Sequence, residues 1–161
     1  MTAPPFQEEL EYPPTMTGQA VDQWQRQMRK RGWHIATDGE FGHEDRRLCA
    51  NFQMEHGLEA TGTVDKKTWK ATWEATSTDA PPPPSDLPLE QGDSGPSVRR
   101  WQRQVNNRGW PDLEVDSQFG PKTKQATKEL QKFRGLEVTG IVDHETWKAA
   151  WEENAPVHAG V

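Results

Sequence analysis

The chain has 161 residues, eight of them Trp and one Cys, with a formal net charge of −6 and a mean hydropathy of −1.01. A single cysteine excludes an internal disulfide, and no apolar stretch approaches the length of a membrane-crossing helix. Acids and bases balance over residues 18–76 and again over 92–153; the acidic surplus comes from Glu8, Glu9, Glu11, Asp79, Asp86 and Glu90, which argues against a nucleic-acid surface.

Residues 1–16 are rich in Pro and Glu and read as an acidic arm. Val21, Trp24 and Met28 then fall on one face of a first helix. Gly32 supplies the left-handed position after it, and Trp33 packs back on Met28 in a Schellman ending. Asp38-Gly39 is a turn signal. A second helix carries Leu48 and Phe52 one turn apart and closes on Gly57-Leu58. The stretch Thr61–Val64 is expected to pair with the Asp38 loop as a two-stranded scrap. Asp65 caps a third helix, with Val64 and Trp69 as its hydrophobic staple and Trp73 one turn further along that face. Residues 77–91 contain Pro81 to Pro84 and read as a stiff polyproline spacer of roughly 12 Å.

The whole pattern then recurs. Val98, Trp101 and Val105 lead to Gly109-Trp110; Asp116 and Phe119 mark the loop. Pro121 stands at a first helical position, Ala126 and Leu130 lead to Gly135-Leu136, and Val142, Asp143, Trp147 and Trp151 repeat the last helix. One residue is inserted between Trp110 and Asp116. A repeat of this length means two copies of one small unit. The predicted fold is therefore all-α: two tandem three-helix domains, residues 17–76 and 92–153, joined by the Pro-rich linker and followed by a short tail, 154–161. Units of about sixty residues bury a limited core, and Trp offsets that limit because each ring buries a large apolar area.

In order and spacing these residues resemble the peptidoglycan-binding-domain family of three-helix cell-wall modules. The family's start is matched by Gly18, Val21 and Trp24-Gln25, and by Gly95, Val98 and Trp101-Gln102. Its loop is matched by Asp38-Gly39-Glu40-Phe41-Gly42, and by Asp116 to Gly120 with Thr123. Phe52-Gln53 and Leu130-Gln131 match its second helix; Thr61 to Trp69 and Thr139 to Trp147 match its last element. Trp24 and Trp101 depart from the usual Leu, Ser117 replaces the loop Gly, and Asp45-Arg46 stands where the second copy has Thr123-Lys124. The resemblance implies non-catalytic binding of bacterial peptidoglycan, without a cofactor.

The candidate peptidoglycan-binding residues are Gln25, Trp33, Asp38, Phe41 and Gln53, with Gln102, Trp110, Asp116, Phe119 and Gln131 in the second copy. The two Asp can accept hydrogen bonds from wall peptide or sugar hydroxyls, or can be ordinary turn aspartates. The four Gln offer donor and acceptor together, which suits amides and acetamido groups; the competing reading is a helix surface or a backbone cap. Trp33 and Trp110 sit at helix ends, where capping and core packing compete with exposure, and Phe41 and Phe119 read equally as pins between loop and core. No metal or catalytic residue is expected: His34, His43, His56, His144 and His158 show no zinc spacing, and no nucleophile, base and orienting acid assemble.

No charged start followed by an apolar run opens the chain, so no secretory signal is expected. The expected protein is made in the cytoplasm and acts at the bacterial cell wall or inside a phage particle. It would be a lysin-targeting or virion-associated binder, with neither nucleic acid nor membrane as partner. The alternative is a structural component of a phage head, neck or tail, using the module as a protein–protein fitting that meets other phage proteins through the acidic arm and linker.

Overall fold

The computed structural model describes residues 2–77, 79–110 and 113–153, and the tail expected at 154–161 lies outside them. Residues up to 77 form one compact unit and residues 79–153 a second. The first contains β1 (Met16–Thr17), α1 (Gln19–Lys30), β2 (Glu40–Phe41), α2 (His43–Glu55) and α3 (Lys66–Glu74). The second contains α4 (Pro96–Asn107), α5 (Pro121–Phe133) and α6 (His144–Trp151). The expected all-α pair of three-helix units is what the chain forms.

Helix ends follow the local chemistry. At the end of α1, Trp33 N–H donates to the Met28 carbonyl at 3.1 Å and Gly32 N–H to that of Arg29 at 3.0 Å, with Gly32 at φ 101. This is the Schellman pairing, and the left-handed φ is why glycine stands there. Asp65 and Asp143 cap α3 and α6, each carboxylate accepting the N–H of Thr68 or Thr146 at 2.8 Å. Helices of nine and eight residues are too short to hold alone, so caps and packing carry them. Trp24, Trp33, Phe41, Leu48, Phe52 and Val64 form the first core; Val98, Trp101, Leu130, Val142 and Trp147 anchor the second.

The strand pairing differs from expectation. Thr61–Val64 does not pair with the Asp38 loop. Instead β2 pairs antiparallel with β1, Met16 opposite Phe41, and Val64 bridges Leu10. In the second unit Ser94 bridges Gln118 and Leu89 bridges Val142. Leu10 and Leu89, at 0% and 2% exposure, are core residues. Segments read as an arm and a spacer thus hold the N-terminal staves of the two units, because one large apolar residue in each closes the core against the staple valine.

Candidate functional site

The loop between α1 and α2 is built around one buried amide. Gln25 is fully buried. Its Oε1 accepts the Gly39 N–H at 2.9 Å, and its Nε2 lies within bonding distance of Asp38 Oδ1, the Glu40 carbonyl and Asp45 Oδ1. Gln102 repeats the arrangement with the N–H groups of Asp116 and Ser117, with Asp116 Oδ1, the Gln118 carbonyl and Thr123 Oγ1. A side-chain amide with two donors and one acceptor oxygen satisfies the loop backbone that the short pairing with Met16–Thr17, or with Ser94, leaves open.

The loop before α3 is held likewise. Gln53 Oε1 accepts Gly62 N–H at 2.9 Å, while Nε2 reaches the Thr63 carbonyl and Thr68 Oγ1, both at 2.9 Å. Gln131 holds Thr139, Gly140 and Ile141 in the same way. Gly62 is required here: at φ 78 a Cβ would sit 2.8 Å from Arg46 Cγ and 3.2 Å from its carbonyl oxygen.

Eight of the ten candidate ligand contacts lie inside the fold. Gln25, Gln53, Gln102 and Gln131 are 0–1% exposed with their amide groups spent on loop backbone; Trp33, Trp110, Phe41 and Phe119 are 0–3% exposed. A group sealed in the core and already paired offers a ligand nothing. The backbone-cap and core readings are the ones the structure matches, and the roles of these residues are to position the loops.

Asp38 and Asp116 are the two that reach the surface. Each spends Oδ1 on the glutamine amide and on a loop N–H, that of Glu40 or Gln118. Oδ2 of each has no protein partner among the described residues and can accept a hydroxyl or amide hydrogen. The hydrogen bonds from Gln102 and from the Gln118 N–H hold the Asp116 carboxyl below the ordinary carboxylate range. Asp45, buried behind the first loop, is pushed the other way: burial raises it, against the pull of the Gly42 N–H and Gln25.

Two cavities were not legible in the sequence. A polar one of about 410 Å³ in the first unit is lined by Glu9, Glu59, Asp65, Lys66 and Lys67, among others. One of about 360 Å³ in the second unit lies between the prolines before Leu89 and α6. Among the described residues no three His, Cys, Asp or Glu side chains are grouped as a metal site needs.

Known proteins are similar to parts of this chain. The chain is 37% identical over 68 residues to the zinc D-Ala-D-Ala carboxypeptidase of Streptomyces albus G, covering 40% of this chain and 26% of that protein. It is 39% identical over 64 residues to an uncharacterized protein in the bpoA1 3′ region of Kitasatospora aureofaciens, covering 39% of this chain and 54% of that one. It thus spans from a quarter to about half the length of these curated relatives. Among solved structures it is similar to the SleB N-terminal domain, with 29% identity, TM-score 0.40, and coverage of 41% of this chain and 90% of that one. It is also similar to a peptidoglycan-binding protein from Clostridioides difficile solved with glutamine hydroxamate, with 32% identity, TM-score 0.39 and 40% of each chain covered. The model of the putative peptidoglycan binding domain matches twice, over residues 17–71 and 94–150, one match to each repeat; the chain belongs to this family, which supports cell-wall binding.

Proposed function

We propose that this chain is a non-catalytic binder of bacterial cell-wall peptidoglycan that uses its two repeats as tandem modules. The observation that carries the reading is the family match to both repeats. The two glutamine-pinned loops supply the surface: each presents one unspent carboxylate oxygen, from Asp38 or Asp116, on backbone fixed by a buried amide. A preorganised acceptor loses little freedom on binding, and two weak sites on one chain gain affinity together when both engage one polymer.

The setting proposed is a phage lysin-targeting or virion-associated protein. Targeting is favoured by the likeness of one stretch to part of a D-Ala-D-Ala carboxypeptidase. The alternative is a phage structural fitting that meets other proteins through the acidic arm; in this chain Leu10 and Phe6 of that arm pack on the first core.

Co-sedimentation with insoluble peptidoglycan tests the function, run beside Asp38→Ala/Asp116→Ala and a chitin control. Specific pelleting that the double variant loses is expected. Pelleting that survives the substitutions moves the site away from these loops, and no pelleting by the folded chain overturns the function. Recovery of the chain in purified phage particles or with a lysin tests the setting.

A further inference from the structure

The two units treat one position differently. In the first, the segment before Leu10 lies over α3. The Pro4 carbonyl accepts the Trp69 indole N–H at 2.7 Å, Ala3 N–H donates to Glu74 Oε2 at 3.1 Å, and the Phe6 ring meets Trp69 edge-on at 6.3 Å. Leu10 and Leu89 make the same bridge in their units. Counting back equally from each, Ala3, Pro4 and Phe6 correspond to Pro82, Pro83 and Ser85. Trp69 and Glu74 correspond to Trp147 and Glu152.

Two of these exchanges remove what the first unit uses. Pro82 has no N–H to give Glu152, and Ser85 has no ring to lay against Trp147. Beside these positions lies the cavity of about 360 Å³ lined by Pro81, Pro82, Pro83, Trp147, Lys148 and Glu152, among others. Its size falls in the range of ligand pockets. Trp147 is 1% exposed, and its Nε1 has no hydrogen-bond partner among the described residues. The equivalent nitrogen in the first unit points at the segment that here forms the cavity wall. A buried N–H without an acceptor is costly, and an incoming carbonyl removes that cost. Among the described residues the Glu152 carboxylate accepts no hydrogen bond; it lies 3.9 Å from Lys148 Nζ and near the charge of Arg134, and so can still accept one from a ligand.

We infer that this cavity is a binding site for an extended proline- and aromatic-containing peptide of a partner protein. The peptide supplies in trans what Ala3-Pro4-Pro5-Phe6 supplies in cis to the first unit. A ligand carbonyl accepts from Trp147 Nε1, a ligand N–H donates to Glu152, and a ligand ring meets Trp147 as Phe6 meets Trp69. In the first unit the chain's own segment already makes these contacts, which leaves no group there for such a peptide.

The test is titration of the full chain with Ac-Ala-Pro-Pro-Phe-NH2, following the Trp147 indole N–H signal by ¹H–¹⁵N NMR. A saturable shift is expected. It disappears with the Phe→Ser peptide, and affinity falls about tenfold or more in Ser85→Phe, which supplies the ring in cis. Glu152→Gln, at the C-cap of α6, weakens binding without touching the core and serves as the second variant should Ser85→Phe fold poorly. No shift at millimolar peptide, or undiminished binding in a folded Ser85→Phe or in Glu152→Gln, overturns the proposal. So does a Trp147 signal moved by soluble peptidoglycan fragments and not by the peptide, an outcome separate from pelleting with whole wall.

Discussion

The indole of Trp24 offers a sharp test of how each unit satisfies its core. Its Nε1 donates to Thr72 Oγ1 on α3 at 3.2 Å, and that hydroxyl donates in turn to the Thr68 carbonyl at 2.7 Å. In the second unit Trp101 Nε1 donates to Thr127 Oγ1 at 3.0 Å, and Thr127 donates to the Thr123 carbonyl at 2.8 Å. The hydroxyl has moved from the third helix to the second. Where Thr72 stands the second copy has Ala150, and where Thr127 stands the first has Cys49, all of them buried. Thr72→Ala leaves a sealed N–H unpaired, at about 1–3 kcal/mol, and removes a methyl worth about 0.8 kcal/mol. A unit of this size has roughly 4–11 kcal/mol of stability, so the loss is a large fraction of it. It lowers Tm by roughly 4–8 °C per kcal/mol. Adding Cys49→Thr rebuilds the second unit's arrangement in the first and returns about 1–2 kcal/mol of the hydrogen-bond loss. Equilibrium urea unfolding of the four proteins in this cycle reads the coupling directly. Additivity within about 0.5 kcal/mol refutes the argument that the hydroxyl is interchangeable between helices.

Ser117 sits at φ 66, where the first copy has Gly39 at φ 72. Ser117→Gly relieves left-handed strain of about 1–2 kcal/mol against an unfolded-state gain of about 0.4–1 kcal/mol. A Tm rise of a few degrees in the second unit is expected by calorimetry, and a fall contradicts it. Asp45 bears on pH. Its folded pKa is raised, so the folded unit holds the proton more tightly than the unfolded chain, and stability from this group falls as pH rises from the ordinary carboxylate value of about 3.9 through the raised one. Asp45→Thr, the residue at the equivalent position in the second unit, removes that term. The Tm of the variant minus that of the wild type grows more positive from pH 4 to pH 7, and a flat or reversed difference refutes the assignment. Asp116 acts in the opposite sense, its lowered pKa giving stability that is lost as pH falls through it.

The helices, their ends and the Trp faces were legible because they rest on local rules: periodicity, a left-handed glycine, an aspartate cap. The site was less legible. A glutamine on a helix reads as surface, and only the fold reveals that Gln25 and Gln53 point inward at backbone with nothing else to bond. Leu10 and Leu89 were hidden by their setting of prolines and acids, which reads as arm and spacer whether or not one residue inserts into a core. The strand partner of β2 was missed for the same reason, since β1 lies at the edge of that segment. Asp38 and Asp116 lie at the surface, as a turn acid does, because a turn there needs no tertiary information to place it.

Both copies keep the parts that bury backbone polarity and differ where a polar group can be satisfied in more than one way. At the end of the third helix, Arg31 Nη1 donates to the Ala75 carbonyl at 2.9 Å in the first unit, with His56 Nε2 3.5 Å from Nη2. In the second, Arg108 reaches the Trp151 carbonyl and Arg134 those of Ala149 and Glu152. A guanidinium there meets both the unpaired carbonyls and the negative end of the helix dipole. Two guanidinium groups side by side cost more than one: burial, followed by the charge of Arg108, lowers the Arg134 pKa, while Glu152 and Glu153 offset part of that. Arg134 therefore ties Glu152 to a local charge balance that Glu74 does not share. The same carboxylate borders the cavity beside α6, so the second unit's cap and that cavity are parts of one divergence between the copies.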